Sequence, residues 1–227
     1  MKTLRLLLSL VIALATCTPV AAEHYKPHIS VGAHGGATMS MMAFSPGIKQ
    51  SFSQGLTMGA SFTYAEERHV GLRAELNLVQ RGWAENYEDL PFQYSRKFTY
   101  ISVPMLTHIF FGSRKIKCIF NLGPEVSYMI GKSISSNFDY RNIGSVEGYP
   151  SARHTDQLTL DVANRFDYGI TAGAGAEYVI NRRNSIQLEI RYYFGIGNVF
   201  PSQRTDTFHG SRCMDLALTL GYKFRLK

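Results

Sequence analysis

The side chains of this sequence best suited to chemistry are its histidines, carboxylates and guanidiniums, and their spacing decides what they can do. Nucleophilic catalysis needs a hydroxyl or thiol beside a base, with an acid to orient that base. Ser202 and His209 share one polar stretch, a spacing that any polar loop can show. His108 falls at an alternating position of an apolar segment, which suits an interior, hydrogen-bonded histidine better than a base. Gly131-Lys132-Ser133 has the form of the end of a phosphate-binding loop, but Val126 stands where its first glycine belongs and no helix follows. Gly169, Gly173 and Gly175 alternate along one strand, where glycine permits bending and close approach, and do not form a dinucleotide fingerprint. His24 and His28 lie at the chain start, where the backbone is rarely held firmly enough for a metal. Cys118 and Cys213 form no CxxC or Cys/His cluster that would take zinc. The expectation is a non-enzymatic protein with no cofactor and no metal.

The remaining charges have a different order. Val70, Leu72, Ala74, Leu76 and Leu78 alternate with Gly71, Arg73, Glu75, Asn77 and Val79. Successive strand side chains point to opposite faces, so this is a strand with one apolar and one charged side. Eight such segments are predicted, at 27–39, 54–65, 69–82, 97–111, 116–131, 164–180, 185–197 and 212–226. Their apolar sets carry no charge, for example Ile186-Leu188-Ile190-Tyr192-Phe194 and Met214-Leu216-Leu218-Leu220-Tyr222. A charge at the bilayer midplane costs about 2–4 kcal/mol, so uncharged sets are what a lipid-facing surface requires. The polar sets place Arg73, Arg81, Arg165, Arg191, Lys223 and Arg225 against Glu75, Glu125, Asp167, Glu177, Glu189 and Asp215, with His34 and His108. Six cations against six anions make the interior near neutral. An eight-stranded barrel is only wide enough for side chains to fill it, so these charges are expected to pair as a structural network. The alternative is a narrow pore for small solutes, which would favour a ring of one sign.

The elements that carry this network must close on themselves, because lipid cannot satisfy an open sheet edge. The expected fold is all-β, an eight-stranded antiparallel up-and-down transmembrane barrel. Tight turns at 65–68, 112–115 and 181–184 alternate with longer links near 40–53, 83–96, 132–163 and 198–211, so the turns are assigned to the periplasm and the loops to the outside. Tyr64, Tyr100, Tyr128, Tyr178, Tyr222 and Phe224 gather toward strand ends, as interfacial girdles do. A secreted lipocalin-like barrel with the opposite facing is the soluble alternative. On this topology Cys118 and Cys213 sit near opposite ends and stay free thiols.

Residues 1–22 form a unit of their own. Lys2 and Arg5 precede the apolar run Leu6–Ala15, and Val20-Ala21-Ala22 offers a cleavage site, which is the pattern of a secretory signal. Residues 23–227 are then the barrel domain. Cys17 as a lipidated first residue is a weaker variant, with Thr16 a poor fit to that motif. The formal charge is +7, and loss of Lys2 and Arg5 leaves +5. The bases are scattered along the sequence with no Lys/Arg-rich run, so no nucleic-acid partner is expected. Aromatics at 12% and charged residues at 18% exclude a disordered chain.

The 132–163 loop mixes Phe138, Tyr140 and Tyr149 with Asp139, Arg141, Glu147, Arg153 and Asp156. It reads either as a contact surface for a protein partner or surface glycan, or as a mobile loop with no defined ligand. The remaining partner is outer-membrane lipid.

Tyr100-Ile101-Ser102-Val103-Pro104-Met105-Leu106, Phe110-Phe111-Gly112 and Asn121-Leu122-Gly123-Pro124-Glu125 together carry a family likeness. With Gly35-Gly36, Asp167-Tyr168-Gly169 and the closing Leu220-Gly221-Tyr222-Lys223-Phe224, the chain resembles the porin-like, PorT-type outer-membrane β-barrel family of Bacteroidetes. The resemblance spans residues 23–227 and implies an eight-stranded barrel in the outer membrane of a Gram-negative bacterium. It also implies a place beside the protein secretion system of that phylum. Ser102 and His108 depart from the acid and lysine that many relatives carry there.

Overall fold

The computed structural model describes residues 27–65, 67–88, 90–150, 155–202 and 207–226. The segment expected to be a signal, with His24, lies outside the described residues. Among the described residues nine strands follow in chain order: β1 (His28–Ser45), β2 (Gln50–Ser51), β3 (Ser53–Ala65), β4 (Val70–Glu85), β5 (Tyr94–Gly112), β6 (Ile116–Ser136), β7 (Phe166–Val179), β8 (Asn184–Gly195) and β9 (Gly210–Arg225). One short helix, α1 (Asp156–Thr159), and a 3-10 turn at Ile143–Ser145 lie in the long loop between β6 and β7. The eight long strands each pair antiparallel with the next, and β9 pairs with β1, which closes the cylinder. The two-residue β2 adds only to the upper end of β4. The fold is the expected eight-stranded barrel.

The facing expected from period two holds along every long strand. Leu56, Leu72, Met105, Leu122, Ile170, Leu188 and Leu218 point outward, and Thr57, Arg73, Leu106, Asn121, Thr171, Glu189 and Thr219 point inward. Leu188 is 51% exposed to what would otherwise be water. An arginine there would sit in hydrocarbon, so Leu188→Arg should lower the unfolding free energy by about 2–4 kcal/mol. Urea titration in phospholipid vesicles measures this; an unchanged midpoint would place Leu188 away from lipid.

The periplasmic turns are held locally. In the β7–β8 turn the Asn181 side-chain oxygen accepts the Arg183 and Asn184 backbone N–H groups, both at 2.9 Å. In the β5–β6 turn the Ile116 N–H donates to Ser113 Oγ at 3.1 Å. Such side-chain acceptors replace ladder partners that a reversing chain lacks.

At the opposite end the strands run further than expected. β1 continues to Ser45, β4 to Glu85 and β6 to Ser136, while β5 begins at Tyr94. β6 is 21 residues long, about twice what a tilted strand needs to cross a bilayer. In these extensions the chemistry inverts. Met42, Phe44, Trp83, Tyr94 and Phe98 are buried inside, whereas Ser45, Ser95 and Lys97 face out. A strand with apolar residues inside and polar ones outside is standing in water. The barrel therefore rises out of the outer leaflet, and the membrane pattern used to delimit the strands stops before they do.

Candidate functional site: a filled lumen beneath an aromatic cap

The lumen is crossed by three tiers of polar side chains. Nearest the periplasm, Lys223 on β9 donates to Glu177 on β7 at 2.6 Å, and Gln187 on β8 donates to the same carboxylate at 3.1 Å. In the middle, Glu75 on β4 receives Arg191 from β8 at 2.6 and 3.1 Å, and Arg73 Nε lies 2.6 Å from it. Arg191 also donates to Glu189 at 3.0 Å, and Arg73 donates to Gln187 at 3.1 Å. Asn77 donates to Glu75 at 2.9 Å, and Asn121 on β6 donates to Glu189 at 2.8 Å. His34 on β1 lies 3.8 Å from Glu75, and His108 on β5 bonds Asn121 at 2.7 Å through Nδ1. β4 and β8 are not neighbours in the sheet, so these bonds brace the cylinder across its diameter.

The upper tier centres on Arg81 of β4. Its guanidinium pairs with Asp215 on β9, donates to Glu125 on β6 at 2.6 Å and to Ser127 at 3.2 Å. The Tyr193 ring on β8 stacks beneath it, with Cζ 3.6 Å from the ring centroid. Thr171 on β7 donates to the second oxygen of Glu125 at 2.5 Å. Asp167 is buried at the same level, within the field of Arg81. One cation thus serves three carboxylates.

Glycine makes room for these contacts. A Cβ at Gly173 would stand 2.2 Å from Glu189 Oε1, so any other residue would displace that carboxylate. The alternation of Gly169, Gly173 and Gly175 fits the expected role of close approach.

Above the ions lies an aromatic plug. Trp83, Phe44, Phe98, Phe200, Phe208 and Tyr94 pack ring against ring, with Phe44 and Trp83 centroids 5.3 Å apart. The Arg96 guanidinium lies over Phe200 at 5.0 Å and over Phe98 at 5.5 Å, and donates to the Leu160 carbonyl at 2.7 Å. Tyr94 donates to the Leu158 carbonyl at 2.9 Å, and Gln157 donates to Glu85 at 3.0 Å. The α1 segment is therefore tied down from below, and Leu158 is fully buried. Phe138 and Tyr149 from the same loop pack with Tyr87 and Phe92. The described part of the 132–163 loop is a packed cover with Asp139, Arg141 and Glu147 on its exposed side.

Of the twelve charges assigned to the interior, ten line it: Arg73, Glu75, Arg81, Glu125, Asp167, Glu177, Glu189, Arg191, Asp215 and Lys223 are buried. Two are corrected. Arg165 precedes the first residue of β7 and is exposed, because the chain has already left the sheet. Arg225 is the last residue of β9 and half-buried at the periplasmic edge. Six carboxylates therefore face four cations within the wall, not six. The neutral partners Asn77, Asn121, Ser127, Thr171 and Gln187, with Tyr193, lie inward as the same period-two parity expects. Tyr100, expected in an interfacial girdle, is corrected: it is fully buried in the lumen, with its hydroxyl 3.8 Å from Cys213 Sγ, because its position on β5 has inward parity. Arg96 lay just before the predicted strand start.

Other sequence candidates fall elsewhere. Ser202 accepts a hydrogen bond from Asn198 at 3.1 Å, and His209 is exposed with its backbone N–H bonded to Ser45. Cys118 is exposed on the outer face and Cys213 buried in the lumen, both as free thiols. Lys132 and Ser133 belong to strand β6 rather than to a phosphate-binding turn. The group His28, Thr63, His108, Phe110, Lys117, Glu177 and Lys223 surrounds a recess at the periplasmic mouth too narrow for a water molecule.

A barrel with an uncharged lipid-facing band, a polar interior and one end of short turns matches known proteins. The family described as outer membrane protein beta-barrel domain matches residues 25–201. Among solved structures, the outer membrane protein OprG from Pseudomonas aeruginosa superposes with a TM-score of 0.54 at 11% identity, covering 90% of this chain and 99% of that one. Neisserial surface protein A (NspA) gives a TM-score of 0.44 at 15% identity, with 87% and 98% covered. Ail, the attachment invasion locus protein of Yersinia pestis, gives 0.41 at 13%, with 87% and 99% covered. No curated protein matches the sequence. OprG shares the fold, and the family match covers most of the chain: the protein belongs to the outer membrane protein β-barrel domain family and resides in the Gram-negative outer membrane.

Proposed function

We propose that this barrel is a non-enzymatic scaffold with a sealed lumen, which holds its extracellular cover in place as a contact surface. One observation carries the reading: buried ion pairs between non-adjacent strands fill the lumen at three levels, beneath an aromatic plug that α1 closes from above. Each buried charge that has a partner here would lose it if solute moved through, at a cost of several kcal/mol. The finer reading, an accessory role in protein secretion, rests on the resemblance to the PorT-type family. A protein partner or surface glycan is then expected at the exposed side of the 132–163 loop.

Planar-bilayer recording separates this scaffold from a narrow pore. The purified protein should insert without steady unitary currents, and stable single channels would replace the scaffold reading with the pore. For the secretion role, deletion in the native host should retain secreted proteins inside the cell; an unchanged secretome would remove it.

A further inference from the structure

The chain is basic, yet its interior holds more carboxylates than cations, and its extracellular end is close to balance. There, Lys49 sits 2.8 Å from Glu88, Lys132 is 3.8 Å from Asp161, and Arg141 stands beside Asp139. The excess is at the periplasmic rim. Arg114 and Lys115 are exposed in the β5–β6 turn, Arg182 and Arg183 are exposed in the β7–β8 turn, and Arg225 ends β9. These residues are far apart in sequence but adjacent in space. The Val179 N–H donates to the Lys115 carbonyl at 2.8 Å, and the Arg225 N–H donates to the Arg183 carbonyl at 2.7 Å. They form one arc along the ends of β5 to β9. No acidic residue shares this arc among the described residues: Glu177 lies inside, on Lys223, and Glu67 with Arg68 occupies the separate β3–β4 turn.

The height of the arc identifies what it meets. On the outer wall just above it stand Phe111, Tyr178 and Tyr222, each about half exposed (49, 51 and 48%). Outward aromatic rings at strand ends mark the boundary between hydrocarbon and headgroups. The turns hold only three or four residues between strands, so their side chains end at headgroup level and reach no deeper into the periplasm. We propose that this arc binds the anionic headgroups of phospholipids in the periplasmic leaflet, anchoring the barrel on one side. Guanidinium groups suit the purpose, since they bind phosphate in a bidentate fashion.

The test uses the full barrel in phosphatidylcholine vesicles containing spin-labelled phosphatidylglycerol or spin-labelled phosphatidylcholine. The fraction of label immobilised at the protein gives a relative association constant. At low salt the wild-type protein should favour phosphatidylglycerol by about three- to tenfold, as several cations near the surface imply. Molar salt should abolish the preference, because it screens within about 3 Å. Arg114→Gln/Lys115→Gln/Arg182→Gln/Arg183→Gln should reduce the ratio to near one, and Arg114→Lys/Arg182→Lys/Arg183→Lys should keep most of it. Lys132→Gln/Arg212→Gln, at the extracellular end, should leave it unchanged. Heat-dependent gel mobility shows whether each variant is folded; should the neutralised variant fail to fold, the wild-type ratio and its salt dependence decide. Equal association of the two lipids with wild type overturns the proposal, as does a preference that survives neutralisation. Wild type that ignores phosphatidylglycerol but sediments with peptidoglycan sacculi, in a manner the glutamines abolish, would assign the arc to the cell wall instead.

Discussion

Replacing Arg81 by methionine is expected to cost the barrel about 3–5 kcal/mol of unfolding free energy. Arg81 is buried and its guanidinium joins β4 to β9 and β6, with the Tyr193 ring of β8 packed beneath. Methionine fills comparable volume, so the loss is electrostatic rather than a cavity. Glu125, Asp215 and Asp167 would remain together in a wall that excludes water, with their shared cation gone. Removing one partner of a buried ionic set costs far more than removing the whole set. Arg81→Met/Glu125→Gln/Asp215→Asn should therefore recover most of the loss. Urea unfolding in phospholipid vesicles reads both variants. Equal destabilisation of the single and triple variants would mean that Arg81 acts through packing alone.

Trp83→Ala is expected to cost about 3–5 kcal/mol, and for a different reason. Trp83 is fully buried at the centre of the plug, in contact with Phe44, Tyr94, Phe98 and Phe200, and beneath the Arg96 guanidinium. Removal leaves an apolar void that the stiff surrounding strands cannot close. The void also takes a packing surface from Arg96, which holds Leu160 and so the α1 segment. Beyond the shift in urea midpoint, limited proteolysis should cut the 132–163 loop faster in the variant. A midpoint within about 1 kcal/mol of wild type would show that the cap is not packed around Trp83, since full aromatic truncations in cores cost more.

The membrane-spanning part of the barrel was legible in the sequence because the facing rule is local. Leu72 and Arg73 point apart for reasons fixed within a single strand, so parity alone placed ten of twelve lumen charges. The extracellular extension was not, because Met42, Trp83 and Arg96 lie where inside and outside exchange chemistry and the lipid pattern ends. Arg165 shows the same limit at a strand start: parity assigned it inward, but parity has no meaning once the chain has left the ladder.

Alternation along each strand assigns one face to lipid, and with it come the barrel and the polar interior. Which charges meet is set by how the strands close in space. Glu75 chooses Arg191 across the lumen because strand tilt and register bring β4 and β8 to the same height, and neither is written in a local pattern. The same closure also gathers bases that look scattered along the chain. Arg114, Lys115, Arg182, Arg183 and Arg225 become one charged edge because antiparallel closure returns every second connection to the same end of the cylinder.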